Sequence, residues 1–502
     1  MRYDRSLLLT LSLSWMCTVR SATYHVAIDG DDANAGTSPA QAFATLQHAA
    51  DMALAGDSVV VHPGTYMGFA AMDHSGTSTA PIVFRAMAGA TIDVPCSYND
   101  LDGINVENTA WVVVEGFRVE GMPRAGIRTA LSDHVTIRHN VCVDNYRWGI
   151  FTGFAEHVTI EHNECSGSED EHGIYHSNSA DDPIIRFNHL HHNNGCGIHM
   201  NGDASMGGDG TISGAQVYAN IIHDNGVGGG SAINGDGLIA ASIYNNVVYG
   251  NHASGISLYM IDAGAPSTGN RVYNNTVVNP SDARWCINIT DGSTGNTLIN
   301  NILVNQHAWR GSISISANSL GGFISHHNLL KNALSLDGGS TAITLAQWQS
   351  AGYDANSMVA SAPAQLFADA NGGDFSAASN TAQQVDAGSA AVGTIVQVDL
   401  LGILRPQGSA YDIGAQEHEL STGIVSRMEE PWTIRYAEGS LLFSGTDPND
   451  RIAVYDATGR CVLQHPLSGG QRIPFSGPCG LYLVERSGTE VRRRSVLRVV
   501  VP

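Results

Sequence analysis

Short β-prone runs, each closed by a polar corner, dominate the pattern of apolar and polar positions along the chain. "TIRHN" ending at Asn140 returns as "TIEHN" at Asn163, "IIRFN" at Asn188 and "QVYAN" at Asn220. The series continues as "SIYNN" at Asn246, "RVYNN" at Asn275 and "TLINN" at Asn301. Other strands begin at Gly103-Ile104, Gly126-Ile127, Gly149-Ile150, Gly173-Ile174 and Gly197-Ile198, with glycine spacings of 23, 23, 24 and 24. Gly255-Ile256 extends that series, and Ala232-Ile233 stands in between. A fixed period of this size, with β-branched strands and Asn or Gly corners, predicts a parallel β-helix solenoid. One coil cannot bury its own apolar face, so coils stack at ~4.8 Å and equivalent Asn side chains ladder along a corner. Ahead of the stack, "FATLQHAADMAL" has helical apolar spacing and is expected to cap strand edges that would otherwise be bare.

The two ends differ from this pattern. Residues 1–22 combine the basic "MRYDR", the apolar "LLLTLSLSWMCTV" and a small-residue exit, which predicts a cleaved signal peptide and export. The apolar run is short of the ~20 residues a membrane span needs, and no transmembrane segment is expected. Residues 23–420 form the predicted β-helix domain, and residues 421–502 read as short strands of a small β-sandwich.

Composition narrows the partners. Of 502 residues, 56 are Gly, above the usual ~7% and in keeping with a turn-rich β fold. A formal charge of −22 argues against nucleic acid, which wants a basic face. Lys331 is the single lysine, so a mechanism built on a lysine base has one candidate. Nothing in the pattern asks for a second copy, and a monomer is expected. Among the eight Cys, Cys142 and Cys165 each follow a ladder Asn by two residues, which favours stacked core thiols over a bridge. Cys461 and Cys479 are placed to pair within the C-terminal unit.

The segment from Tyr24 to Tyr66 resembles the opening of secreted right-handed parallel β-helix proteins of the pectin-lyase-like kind, many of them polysaccharide lyases. "VDAGSA" and "DLLGILRPQGSAYDIGAQEHE" resemble the closing segment of the same group. The resemblance implies a secreted carbohydrate-active protein with a polysaccharide partner, though the scaffold also hosts epimerases, hydrolases and binding proteins. Residues 421–502 resemble the C-terminal sorting domain of type IX secretion cargo, through Val454-Tyr455-Asp456, Gly459-Arg460, Gly480-Leu481-Tyr482 and the basic last strand. That resemblance implies the type IX secretion machinery as a partner, and a secreted or cell-surface location.

Strand alternation proposes the site. If each Ile points inward, so does the residue two later, which places His176 in the core, while Arg128, Tyr175, His199 and Asn234 face out. Cleavage of a uronate glycan by β-elimination needs a base, an acid and a group that neutralises the carboxylate. His199 is the expected base, Tyr175 the acid and Arg128 a neutralising group. Asn201, Asn234, Asp236, Tyr259, Arg147 and His172 are the expected substrate contacts. Lyases of this resemblance commonly pair a Lys or Arg base with calcium, but Lys331 lies far along the chain from these residues. The interval from Ile198 to Ile233 is 35 residues against 24 before it, and the excess contains the loop "NGDASMGGDGTISG". Its Asp203 and Asp209, with Asp236, are the candidate calcium ligands. Asp203 and Asp236 would also be the carboxylate pair of the alternative, a glycoside hydrolase. A non-catalytic glycan-binding or adhesin solenoid is the third reading.

Overall fold

The computed structural model describes residues 21–418 and, beyond them, seven strands between Thr433 and Val501 with the adjoining Phe475. The expected signal peptide, Cys479 and part of the sorting motifs lie outside the described residues. Three parallel sheets of 12, 11 and 12 strands run the length of the first unit, each coil giving one strand to each sheet. The first sheet starts at Thr23–Val26, the second at Phe69–Met72 and the third at Gly64–Met67. This is the predicted β-helix. In the second sheet Ile104, Ile127, Ile150, Ile174, Ile198, Ile233, Ile256, Ile287 and Ile313 stand in one register column. All nine are fully buried, so each coil's apolar residue is covered by its neighbours. Cys142 and Cys165 are adjacent in register, buried and unbridged, as the spacing suggested.

The corner between the first and third sheets explains the recurring Asn. The residue before each ladder Asn (His139, His162, Phe187, Ala219, Asn245, Asn274, Asn300 and His327) is left-handed, with φ between 50 and 59°. Side chains with a Cβ adopt that conformation at a cost of roughly 1–2 kcal/mol. The Asn that follows offsets it. From Asn140 through Asn328, each Nδ2 donates to the next coil's Asn Oδ1 at 2.9–3.1 Å until the ladder ends. The same Nδ2 also reaches a backbone carbonyl of the preceding coil, as Asn220 does to Ile185 at 2.9 Å. At the far end Asn328 meets Asp354, whose other oxygen accepts from the buried Trp348 indole at 2.8 Å.

Both ends are closed. Helix Leu46–Met52, capped by Thr45, buries Leu46, Ala49 and Ala50 over the first coil. Helix Leu345–Ser350, held by a Thr344/Gln347 capping box, buries Leu345 and Trp348 at the other end. The segment that follows lays Leu366, Phe367, Phe375 and Ile413 against Val247, Val278, Ile302 and Leu329. Within it Arg405 and Glu417 form a fully buried ion pair at 2.8 Å. The second compact unit begins at Glu419 and contains a three-stranded and a four-stranded antiparallel sheet.

Replacing a mid-ladder Asn should therefore cost far more than replacing a surface one. Asn220→Leu strips partners from Ile185 O and from the Asn188 backbone and side-chain amides, and should lower stability by about 3 kcal/mol or more. Asn356→Ala, at an exposed position, should stay within about 0.5 kcal/mol in the same denaturant titration.

Candidate functional site

On the outer face of the second sheet, one register column carries Asn105, Arg128, Phe151, Tyr175, His199, Asn234 and Ser257. Alternation thus places Tyr175 beside His199 on adjacent coils. Their rings stack with centroids 5.0 Å apart. The strand ahead of Tyr175 supplies Trp148, which packs on Phe151 at 4.6 Å and on Tyr175 at 5.5 Å. His172, three residues before Tyr175, closes the group edge-on to both Tyr175 and His199. The result is an aromatic wall with two imidazoles at its end.

The hydrogen-bond order within that wall fixes where the protons sit. The Cys196 backbone N–H donates to His172 Nδ1 at 3.0 Å, and a peptide N–H can only donate. His172 Nδ1 therefore holds a lone pair, and its proton is on Nε2, from which it donates to His199 Nδ1 at 3.0 Å. His199 in turn carries its proton on Nε2. That nitrogen is buried and has no hydrogen-bond partner among the described residues. Burial pushes His199 down to about 4 and holds His172 well below the usual imidazole range, with the neighbouring His199 and Arg147 adding to the effect at His172.

This corrects the role expected for His199. To act as a base His199 would need a lone pair on Nε2, the nitrogen not bonded to His172, whereas the relay from Cys196 puts a proton there. His199 is a neutral hydrogen-bond donor with a strongly lowered pKa, not a group titrating near 6.5. Tyr175 receives Asn201 Nδ2 at 3.3 Å, and burial raises its pKa, so it remains a phenol.

Arg128, the expected neutralising group, and Arg147, an expected substrate contact, are corrected as well, and the neighbouring Arg124 shares their state. Arg128 donates to Asn105 Oδ1 and Glu107 Oε2, both at 2.6 Å. Arg124 pairs with the buried Asp102 at 2.5 Å. Arg147 pairs with Glu171 and lies over the Trp148 ring at 4.7 Å. Each cation already faces a carboxylate, so none stands free to neutralise a substrate.

Asn201, Asn234 and Asp236 occupy the expected stripe but are covered. Asn234 Nδ2 donates to Tyr259 Oη at 2.6 Å. Asp236 is 1% exposed and accepts the Ile261 and Asp262 N–H groups at 2.9 and 2.8 Å, while burial raises its pKa. Asp203 is spent on Ser205, and Asp209 on the Thr211 N–H. The three proposed calcium ligands thus serve separate local turns, and Asp203 and Asp236 are not presented as a hydrolytic pair. Lys331 donates to the Arg310 carbonyl at 2.6 Å, away from this wall.

Two residues of the wall escaped the sequence reading. Glu171, in the acidic run of residues 169–171, accepts Trp148 Nε1 at 2.6 Å and lies 3.8 Å from His172 Nε2. Trp148 itself directly precedes a Gly-Ile pair, and that adjacency was the available signal.

The family described as "Right handed beta helix region" matches residues 91–208 and 149–347. The chain belongs to this family. "Uncharacterized protein YwoF" of Bacillus subtilis (strain 168) is 43% identical over 61 residues, which is 12% of this chain and only 13% of that protein. Among solved structures, a pectate lyase, Pel9A, superposes with a TM-score of 0.54 at 16% identity, covering 80% of this chain and 97% of the other. A rhamnogalacturonan lyase superposes with a TM-score of 0.46 at 13% identity, covering 70% and 92%. The first of these likenesses, at 16% identity, speaks for the fold alone.

His176 is a core residue, as alternation predicted: it bonds Thr152 Oγ1 at 2.6 Å and the Ala180 carbonyl at 2.8 Å. Burial lowers it to about 4. Above pH 6.5 both folded and unfolded chains hold this ring neutral. As pH falls from 6.5 to about 4 the unfolded chain binds a proton that the folded chain refuses, so stability falls across that window, by on the order of 3 kcal/mol from this group. His176→Ala should lower the melting temperature at pH 7.5 through cavity and hydrogen-bond loss of about 1–3 kcal/mol. It should also flatten the decline between pH 6.5 and 4, which melting curves across that range will read.

Proposed function

We propose that the wall around Tyr175 and His199 binds a uronate-containing polysaccharide and cleaves it by β-elimination. The observation that carries this reading is the buried, unpartnered Nε2–H of His199 on a ring that stacks against Tyr175. Elimination builds negative charge on the uronate carboxyl as the α-proton leaves, and a fixed neutral donor in a dry site stabilises that charge. His199 supplies the donor. Tyr175, kept protonated by its raised pKa, delivers a proton to the departing glycosidic oxygen. Glu171, the carboxylate beside His172, takes the α-proton as it gives up its contact with Arg147, while Trp148 Nε1 keeps its other oxygen in place. Phe151 and Tyr175, half-buried and backed by the buried Trp148, offer ring surface to the apolar faces of sugar rings. With Arg124, Arg128 and Arg147 already paired and the net charge at −22, substrate is held by neutral donors, so added salt should not raise KM and, by screening the net repulsion, should lower it.

The same reading places the protein outside the cell, exported by its N-terminal segment and carried further by the C-terminal unit. No helix among the described residues is long and apolar enough to cross a membrane. Mass spectrometry of protein secreted by its native host should find both the N-terminal ~21 residues and the C-terminal unit removed. An intact C-terminus in the medium would overturn the sorting role.

A panel of uronate polysaccharides tests the chemistry. Unsaturated-uronate absorbance should rise in step with new reducing ends. Reducing ends alone would mean hydrolysis, and binding without either would mean a glycan-binding solenoid. On the substrate found, His199→Ala should lower kcat by ~10²–10³ and Tyr175→Phe by ~10²–10⁴. Because His199 is lowered to about 4, kcat should show no inflection near pH 6.5. An acid limb centred there would restore His199 as the base.

A further inference from the structure

A second group of imidazoles lies on the third sheet, on a different face from the aromatic wall. Strands His189–His191 and Ile221–His223 are neighbours in that sheet, with Leu190 and Ile222 turned into the core and His191 paired in register with His223. His192 follows at a left-handed corner with φ 56°. The His223 ring has His191 parallel to it at 5.1 Å, His189 at 5.0 Å and His192 at 5.9 Å.

The donor atoms converge rather than merely the rings. His189 Nε2 and His223 Nε2 are 2.8 Å apart. His192, His223 and Asp224 each bring a ligand atom within 4.8 Å of the others. Asp224 Oδ2 accepts from His223 Nδ1 at 2.8 Å, which puts the proton on Nδ1 and a lone pair on Nε2. A carboxylate behind the far nitrogen of an imidazole is the arrangement that orients a metal-bound His and raises its basicity. Burial and neighbouring imidazoles lower His189, His191 and His223, so these rings are neutral at pH 7. His189 and His192 are solvent-exposed, and the adjoining depression of about 440 Å³ is lined by Glu169, His192, Asp224 and His252. An ion therefore has open access.

From this geometry we infer that His189 and His223 bind a divalent transition-metal ion through their Nε2 atoms, with Asp224 orienting His223 and the exposed His192 beside the pair. Two nitrogens 2.8 Å apart with metal–nitrogen bonds of ~2.0–2.1 Å subtend about 85° at the ion, close to the right angle of square-planar or octahedral coordination. The nitrogen set suits Cu²⁺ or Ni²⁺, and Zn²⁺ after the pair opens by about half an ångström towards a tetrahedral angle. Calcium, which wants oxygen ligands, should not compete. On binding, the His189 proton moves to Nδ1, leaving both Nε2 atoms to donate electron pairs to the ion.

The test is calorimetry and electron paramagnetic resonance on untagged, metal-stripped full-length protein titrated with Cu²⁺, Ni²⁺, Zn²⁺ and Ca²⁺. Cu²⁺ should bind at one equivalent with Kd of about 10 µM or tighter, show coupling to several nitrogens, and raise the melting temperature as mass action requires. His189→Gln and His223→Gln should each weaken binding at least ~10-fold, and His189→Gln, at an exposed position, should leave the metal-free melting temperature within a few degrees. His134→Gln and His157→Gln, in a separate surface group with Asp133, should bind as wild type. Absence of stoichiometric binding would overturn the inference. So would binding that survives loss of His189 and His223, or that disappears with His157 or with His199.

Discussion

The Asn-to-Asn hydrogen bond at the corner between the first and third sheets is the interaction on which the stack depends. It lets residues as different as His, Phe and Ala occupy a backbone conformation each disfavours. It also sets coil against coil, because a carboxamide that donates upward and accepts from below fits only when both neighbours stand in register. Once the corner is set, the strand to either side has one orientation, and the inward Ile column and the outward row follow from alternation. The termination of the ladder on Asp354, which also takes the Trp348 indole, ties the same network to the closing helix.

The aromatic wall inherits its chemistry from this rigidity. A single peptide N–H, that of Cys196, is held where it must donate to His172, and two imidazoles downstream have their tautomers assigned by it. The electrostatics reinforce the choice, since burial disfavours either ring becoming charged. A protein with net charge −22 thus keeps its central histidines neutral even though the general field around them favours cations. The surface group on the third sheet is the contrast: its carboxylate partner leaves the outward nitrogen of His223 as a lone pair.

The coil repeat, the Asn ladder, the N-terminal cap and the pairing of Tyr175 with His199 could all be read from the sequence, because each depends on periodicity and on one-residue alternation. What could not be read depends on segments that leave the repeat and come back. Asp236 looks outward in strand terms, yet the chain at Ile261 and Asp262 folds over it. Arg128 looks like a free cation until Glu107, two residues past a strand partner, reaches it. Glu171 reads as a solvated turn because its partners, Trp148 and Arg147, sit one coil below. The tautomer of His199 depends on an amide three residues before it, and no side-chain pattern encodes that. The closing helix at Leu345–Ser350 has a good capping box but too few apolar positions to announce its role.

The corner ladder also governs how such a chain can change length over generations. A coil duplicated whole would carry its own carboxamide, find an acceptor above and a donor below, and extend every column by one place. An insertion inside a strand would break register for all coils beyond it. Growth is therefore quantised, and smaller additions are confined to the bends, as the loop after Asn201 already shows. Lengthening the stack in this way would lengthen the row of outward side chains in the same step, so the reach of that row is set by counting coils.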